Sequence, residues 1–134
     1  MLRKLNTKRG GFTLVEIMIV VAIIALLAAI AVPNFLRSRK RSQATQVLED
    51  LRLIDSAVDQ YAIENNKKQG DTLNWTAVRS YLKTGSRLEA SGGTDILGNS
   101  FGGTFTVDTI PVVPSATYGA LSDVAPSTFW TPYY

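Results

Sequence analysis

Glu16 is the one charged side chain in an apolar stretch from Phe12 to Val32, in which Thr13 is the only other polar residue. A carboxylate inside a membrane helix costs roughly 2.5 to 3.5 kcal/mol near the middle of the bilayer, and such acids are usually functional. The chemistry that Glu16 can supply is the neutralisation of a positive charge. The position of Glu16 therefore predicts a cation that pairs with it.

A cut in the chain after Gly11 would supply that cation. Phe12 would then carry a free α-amino group, which is normally protonated at neutral pH. Residues four apart lie on the same side of a helix, so the Glu16 carboxylate is about one turn from the new terminus. When such helices pack side by side with an axial offset, the acid of one meets the amine of its neighbour. A buried pair of this kind adds little net stability but fixes the register, because misalignment leaves an unpaired charge.

The element that positions Glu16 is a hydrophobic helix long enough to cross a membrane. About 20 apolar residues span the hydrocarbon core, and no glycine or proline interrupts the stretch before Pro33. Pro33 is expected to kink or locally unwind the helix without ending it. Four basic residues precede the stretch: Arg3, Lys4, Lys8 and Arg9. The positive-inside tendency predicts that this basic end stays in the cytoplasm.

Two other interpretations of the hydrophobic segment stay open. A secretory signal peptide has the same basic start and apolar middle, and the segment Ala29-Ile30-Ala31 has the small-x-small pattern that signal peptidase prefers. An uncleaved signal anchor shares these features as well. Neither interpretation explains Glu16. The alternative function is a secreted, soluble binding protein released by signal peptidase after Ala31.

The composition excludes most catalytic chemistry. The chain has no cysteine and no histidine, which removes thiolate nucleophiles, Ser-His pairs and Cys/His metal sites. An acid-only site from Asp95 and Asp108 has no supporting local spacing, so the sequence predicts no enzyme. Four of the 14 basic residues precede Gly10, and the other ten face 11 acids. The body of the chain is thus nearly neutral, and the basic cluster from Arg37 to Arg41 is interpreted as a membrane-water boundary, not a nucleic-acid site.

The segment Gly11-Phe12-Thr13-Leu14-Val15-Glu16 follows a basic leader and precedes the apolar stretch that ends at Pro33. It resembles the prepilin signature of type IV pilins and type II secretion pseudopilins, over roughly residues 3 to 36. The resemblance implies that a membrane aspartyl peptidase cleaves after Gly11. It also implies that Phe12 becomes the N-methylated first residue of the mature chain.

The resemblance further implies a structural role in a filament, with Thr13, Glu16 and Pro33 serving assembly. The expected partners are other copies of the chain, the prepilin peptidase, the membrane, and the inner-membrane machinery of a pilus or secretion system. The expected location is a single pass through a bacterial inner membrane, followed by a periplasmic or extracellular filament. The chain is expected to comprise a cleaved basic leader (1–11), a hydrophobic transmembrane and assembly helix (12–36), and an amphipathic helix with a globular pilin-like head (37–134).

The remaining sequence predicts an α+β fold in which a long helix packs against a small sheet. From Ser42 onward, apolar residues recur at three- and four-residue steps along one helix face, which is expected to fade near Asn65 and stop before Gly70. The members of this stripe are Ala44, Val47, Leu48, Leu51, Ile54, Ala57, Val58, Tyr61 and Ala62. The charged residues Glu49, Asp50, Arg52, Asp55 and Asp59 are assigned to other faces. A short second helix follows, with its N-cap at Asn74 or Thr72.

Beyond the second helix the pattern weakens. Residues 83–93 are polar and contain glycine, which predicts a loop. Residues 100–110 alternate well enough for one strand or a bulged pair of strands. Residues 115–121 predict a turn of helix, and residues 123–134 predict an irregular tail pinned by its aromatic side chains. The head is expected to hold a small antiparallel sheet, as the prepilin resemblance also implies.

No cofactor is predicted other than calcium, for which the signal is weak. Residues 94–99 resemble the loop in major pseudopilins where acids and backbone carbonyls hold calcium. The candidate ligands are Asp95, Asp108 and Asp123, but calcium takes about six to eight converging oxygens and these acids lack a recognisable loop spacing. A solvated turn is the favoured interpretation. Many type IV pilins have a cysteine pair that this chain lacks, which leaves the choice between a pilus and a secretion pseudopilus open.

Overall fold

The computed structural model describes residues 10–134. The four basic residues of the predicted leader lie outside the described residues. The chain divides into two compact units between Leu36 and Arg37. Helix α1, Leu14–Glu64, contributes its first part to one unit and its second part to the other.

The second part of α1 is amphipathic and forms the spine of the second unit. Its buried residues are Ala44, Val47, Leu48, Asp50, Leu51, Ile54, Ala57, Val58 and Ala62. The predicted apolar stripe is therefore confirmed, with Tyr61 half-buried beside it. The assignment of Asp50 to another face is wrong, because this carboxylate is buried among the apolar residues.

The C-terminal end of α1 is closed by a Schellman motif. The Lys67 N–H donates to the Ala62 carbonyl over 2.9 Å. The Asn66 N–H donates to the carbonyl of residue 63 over 3.5 Å. Asn66 has a φ of 50°, which is the left-handed conformation that such a motif requires and that asparagine adopts more readily than most residues. The helix thus ends at Glu64, close to the predicted stop.

Two short antiparallel strands form the sheet of the head. Strand β1, Thr72–Asn74, pairs with strand β2, Thr104–Thr106, and Leu73 lies opposite Phe105. Both of these apolar side chains are buried in the core with residues of α1. The predicted α+β architecture, with a small sheet against the long helix, is confirmed.

Helix α2, Trp75–Arg79, begins directly after β1. Asn74 caps it, since the Asn74 side chain accepts a hydrogen bond from the Ala77 N–H over 3.0 Å, so the predicted cap is confirmed. The Trp75 ring packs 6.2 Å from the Phe105 ring, measured between centroids. Gly93 has a φ of 91°, and a Cβ there would come within 3.0 Å of the indole. Only glycine allows the backbone to pass this close to Trp75.

The prediction of a continuous loop over residues 83–93 is wrong, because the segment contains helix α3, Arg87–Ala90. Ser86 caps this helix by accepting a hydrogen bond from the Glu89 N–H over 3.3 Å. Leu88 is buried and anchors the turn in the core. The Ser-x-x-Glu spacing is a capping-box pattern that the sequence already displays.

The strand predicted over residues 100–110 is shorter than expected. Strand β2 covers only its centre, Thr104–Thr106. Gly102 has a φ of 110° before the strand, and Asp108 has a φ of 59° after it. Neither conformation is compatible with an extended strand, so pairing stops on both sides.

The C-terminal part of the chain contains helix α4, Ser115–Leu121, as predicted, and helix α5, Ser127–Trp130. Helix α5 lies inside the segment that was expected to be irregular. Trp130 is fully buried, and its indole N–H donates to the Ala125 carbonyl over 3.0 Å. Tyr133 is also buried. Aromatic residues therefore pin the tail to the head, as the sequence predicts.

The core of the second unit consists of two hydrophobic clusters that share α1 as a common wall. The sheet cluster contains Ile54, Ala57, Val58, Ala62, Leu73, Val78, Leu82, Leu88, Phe105 and Val107. The tail cluster contains Ala44, Val47, Leu48, Leu51, Val113, Leu121, Ala125, Trp130 and Tyr133. Phe101 is half-buried and packs against both clusters.

Candidate assembly site

A capping box forms the N-terminal end of α1. The Glu16 N–H donates to the Thr13 hydroxyl oxygen over 3.2 Å. In return, the Thr13 N–H donates to a carboxylate oxygen of Glu16 over 3.3 Å. These two bonds satisfy two of the N–H groups that every helix leaves unpaired at its start. The sequence analysis missed this role, although Thr-x-x-Glu before an apolar run is its signature.

The residues next to the predicted cut lie outside the helix. Gly11 and Phe12 precede α1 and are exposed, with 85% of the Phe12 surface accessible. A side chain added at Gly11 meets no other described atom within 4 Å. The peptide bond between them is therefore unobstructed by the described chain.

The first part of α1 presents apolar side chains on all sides. Its most apolar 18-residue window is long and hydrophobic enough to cross a membrane, and none of that window is buried. A core helix of a soluble protein would be covered by its own chain. This surface therefore needs a bilayer or other helices to shield it from water.

Pro33 lies inside α1, and the helix continues past it, as the sequence predicts. Proline lacks the N–H that would bond to the preceding turn, so one carbonyl in that turn loses its partner. The kink that this loss favours, and the part of Pro33 in assembly, stay predictions.

The three candidate calcium ligands occupy different environments. Asp95 is buried, and one of its carboxylate oxygens accepts the Leu97 and Asn99 N–H groups, each over 2.9 Å. Its other oxygen accepts the Thr117 hydroxyl. Asp108 is exposed. Among residues 10–134, no three acidic side chains group closely enough to hold a metal, so calcium binding stays a prediction without a ligand cluster.

The third candidate ligand, Asp123, is paired with the basic cluster. The Lys40 ammonium lies 2.9 Å from the Asp123 carboxylate, and this hydrogen bond lowers the pKa of Asp123. Arg41 donates to the Val124 carbonyl over 2.9 Å, and its guanidinium lies 5.0 Å from the centroid of the Phe129 ring. Two members of the basic cluster therefore hold the C-terminal segment against α1.

An ion pair between the buried Asp50 and the half-buried Arg87 joins α1 to α3. The Asp50 carboxylate accepts hydrogen bonds from Arg87 and, over 3.2 Å, from the Gln46 amide. Burial raises the pKa of Asp50, and the positive charge of Arg87 opposes that shift. The net direction is upward because desolvation of the carboxylate exceeds the stabilisation by its partner. No local spacing could identify this pair, since its members are far apart in sequence.

Comparison with known protein families identifies a motif in the N-terminal segment. Residues 6–32 match a family model described as the prokaryotic N-terminal methylation motif. No solved structure matches the chain.

Relatives include type IV pilin or fimbrial proteins and type II secretion system proteins. The type IV major pilin protein PilA of Myxococcus xanthus is 41% identical over 64 residues, which are 48% of this chain and 29% of the pilin. A type IV major fimbrial protein FimA of Dichelobacter nodosus is 34% identical over 90 residues, 67% of this chain and 56% of the relative. The type II secretion system core protein G of Aeromonas hydrophila is 32% identical over 60 residues, 45% of this chain and 42% of the relative. The chain spans 29 to 56% of these relatives, and the predicted resemblance to pilins and pseudopilins is confirmed.

Proposed function

We propose that the chain is a structural subunit of a type IV pilus-like or type II secretion pseudopilus filament. The observation that carries this proposal is the exposed apolar first part of α1, which begins at Leu14 and has one acid, Glu16, before Pro33. Because relatives of both kinds match the chain, the proposal covers either filament. The role is mechanical and requires no catalysis by the subunit itself.

The first step of the proposed mechanism is processing after Gly11. A prepilin peptidase removes the basic leader, and Phe12 becomes the new N-terminal residue and is N-methylated. The motif match over residues 6–32 supports this step, as does the exposed position of the bond. N-methylation leaves the amine able to carry a proton, so the terminus keeps its positive charge.

The second step is a change of partner for Glu16. In the structure its carboxylate accepts the Thr13 N–H of the same chain. This contact is exposed, and one backbone N–H leaves most of the acceptor capacity of a carboxylate free. When processed helices pack side by side, that carboxylate binds the Phe12 amine of a neighbouring copy. The processed hydrophobic segment of each subunit thus carries one cation and one anion, and the staggered arrangement pairs both with neighbouring copies.

The third step is burial of the apolar surface. As a subunit leaves the bilayer, the first part of α1 loses its lipid cover. Association with other copies then contributes about 25 cal/mol for each Å² of apolar surface removed from water. A helix bundle with the heads outside is the arrangement that this surface favours. The proposed location is accordingly the inner membrane before assembly, and a periplasmic or extracellular filament afterwards.

The mass and sequence of the mature N-terminus test this proposal. A filament subunit should begin with methylated Phe12 and should be recovered in sheared fibres seen by electron microscopy. A mature chain that begins at Val32 would contradict the proposal and support the secreted binding protein released after Ala31. The two outcomes differ by 20 residues of apolar sequence, so intact-protein mass spectrometry separates them without ambiguity.

A further inference from the structure

We propose that a second contact joins copies of the chain, in which Arg39 of one copy enters an acidic groove on the head of another. This inference rests on the proposed filament and adds a defined contact between heads to the contact between hydrophobic helices. The groove lies where the end of α1 meets the loop after β2. It encloses about 320 Å³ and is lined by Asp59, Ala62, Ile63, Lys67, Val107 and Asp108.

The groove matches an arginine side chain in charge and in polarity. Two carboxylates, Asp59 and Asp108, stand at its rim beside a single ammonium, Lys67, so its rim carries a net negative charge. Within residues 10–134, neither carboxylate has a hydrogen-bond or ion-pair partner. The methylene stem of an arginine can lie along Ala62, Ile63 and Val107, which also line the groove, and its planar guanidinium can bridge carboxylate oxygens.

Arg37 and Arg39 are the exposed arginines of the basic cluster that make no hydrogen bond or ion pair within residues 10–134. Arg37 lies near Asp123 and helps Lys40 to lower the pKa of that carboxyl, which leaves Arg39 for such a contact. Lys40 is engaged with Asp123, and Arg41 is engaged with the C-terminal segment. Arg39 is exposed and, in the described part of the chain, makes no hydrogen bond or ion pair. An exposed arginine of one copy and an unpaired acidic groove of the next are therefore complementary in charge.

The positions of the two partners on α1 favour an open assembly. Asp59 follows Arg39 by 20 residues, which places the two side chains about 160° apart around the helix and about 30 Å apart along it. One copy can therefore bind two neighbours at once, through opposite faces. Contacts between two different patches are heterologous, and those that do not close into a ring build filaments.

The contact and the Glu16 contact require copies displaced in the same direction. In each case the residue nearer the N-terminus belongs to one copy and meets a residue further along the chain of the other copy. The displacement is about 30 Å for Arg39 and Asp59, which lie on one helix, and far shorter for Phe12 and Glu16, which are four residues apart in sequence. The two contacts therefore join one copy to two different neighbours, which are displaced in the same direction by different distances.

Charge reversal in the full-length chain tests the inference. Arg39→Glu and Asp59→Arg should each reduce the yield of sheared fibres at least about tenfold, because like charges then meet at the contact. The double variant, Arg39→Glu with Asp59→Arg, should restore most of the yield. Arg37→Glu is the matched control, since it changes the same charge on the face opposite Arg39 and should leave the yield close to wild type. Immunoblots of the membrane fraction verify that all variants accumulate equally.

Chemical crosslinking gives an independent readout, because the native chain has no cysteine. The cysteines are placed one helical turn after each member of the contact, so that both charges stay in place. In fibres, the pair Gln43→Cys and Ile63→Cys should form a ladder of crosslinked species with a short bismaleimide, whereas Thr45→Cys with Ile63→Cys should not, because Thr45 is on the opposite side of α1 from Gln43. Wild-type fibres together with full assembly of both single charge variants would overturn the contact while leaving the filament proposal intact. Crosslinked products that stop at dimers would also overturn the proposed contact, because they would show that two copies bind each other through the same surface and form a closed pair. Absence of wild-type fibres would overturn both proposals.

Discussion

Replacing Glu16 separates its two roles, because Glu16→Gln and Glu16→Ala differ in one of them. Glutamine also completes a capping box, so it keeps the bond to the Thr13 N–H but loses the negative charge. Alanine loses both. The exposed capping bond is worth about 0.5 to 1.5 kcal/mol, whereas leaving one member of a buried ion pair without its partner costs about 3 to 5 kcal/mol. The charge term is therefore the larger one.

We expect both Glu16 variants to insert and to be cleaved normally, and to lose fibre yield by about a hundredfold or more, which corresponds to the lower end of the ion-pair penalty. The assay is quantification of sheared fibres beside the mass of the mature subunit in the membrane. Thr13→Val is the matched comparison, since it removes the capping hydroxyl without altering charge, and it should lower the yield by no more than about tenfold, which is the size of one hydrogen bond. Normal fibres from Glu16→Gln but not from Glu16→Ala would refute the charge argument and leave capping as the sole role.

Three further substitutions test processing and the head. Gly11→Leu should trap the precursor with its leader attached, as measured by the mass of the membrane-bound chain, because the added side chain has free space in the fold and only the peptidase would sense it. Arg87→Met should lower the free energy of unfolding at neutral pH by about 3 kcal/mol in thermal melts, since it leaves Asp50 buried and unpaired. Loss of the Arg87 charge raises the pKa of Asp50 further. The destabilisation is therefore complete above the pKa of Asp50 in the variant. It should shrink as the pH falls toward the ordinary range of a carboxyl group, because Asp50 is then protonated and needs no partner. Trp130→Ala should lower the same free energy by about 3 to 5 kcal/mol, because it empties the centre of the tail cluster.

Each of these changes has a matched control in the chain. Gly10→Leu also meets open space and should leave the mature mass unchanged. Arg79→Met removes an exposed arginine that pairs with Glu89 and should alter stability by less than about 1 kcal/mol. Tyr134→Ala removes an exposed aromatic ring and should have a small effect. A destabilisation by Arg87→Met that grows on acidification would contradict the linkage argument.

The sequence predicted the parts of the fold that depend on local periodicity. The apolar stripe of α1, its stop near Asn66 and the cap at Asn74 follow from residues that are neighbours along the chain, and all are present. The length of β2 was harder to predict, because the positive φ values of Gly102 and Asp108 limit the strand on its two sides. A pattern of alternating residues contains no information about where such a turn in the backbone begins.

The candidate site divides in the same way. The position of Glu16 in the first turn of the helix was predictable, but the placement of Phe12 inside the helix was wrong, because the Thr13 cap starts α1 at Leu14. The burial of Asp50 was not, since its partner Arg87 is brought to it by the tertiary fold. An acid that falls at the spacing of a buried stripe is nevertheless a signal, because it requires a partner that the rest of the chain must supply.

The division of the core into a sheet cluster and a tail cluster means that the head packs on two successive stretches of one helix, which Phe101 links. A force applied along the axis of α1 would act on the two clusters in sequence, because the residues of the tail cluster come first along the helix and those of the sheet cluster follow. Phe101 packs against both clusters, so a loss of packing in one cluster would reach the other through this side chain. Loss of one cluster would leave the other packed on α1.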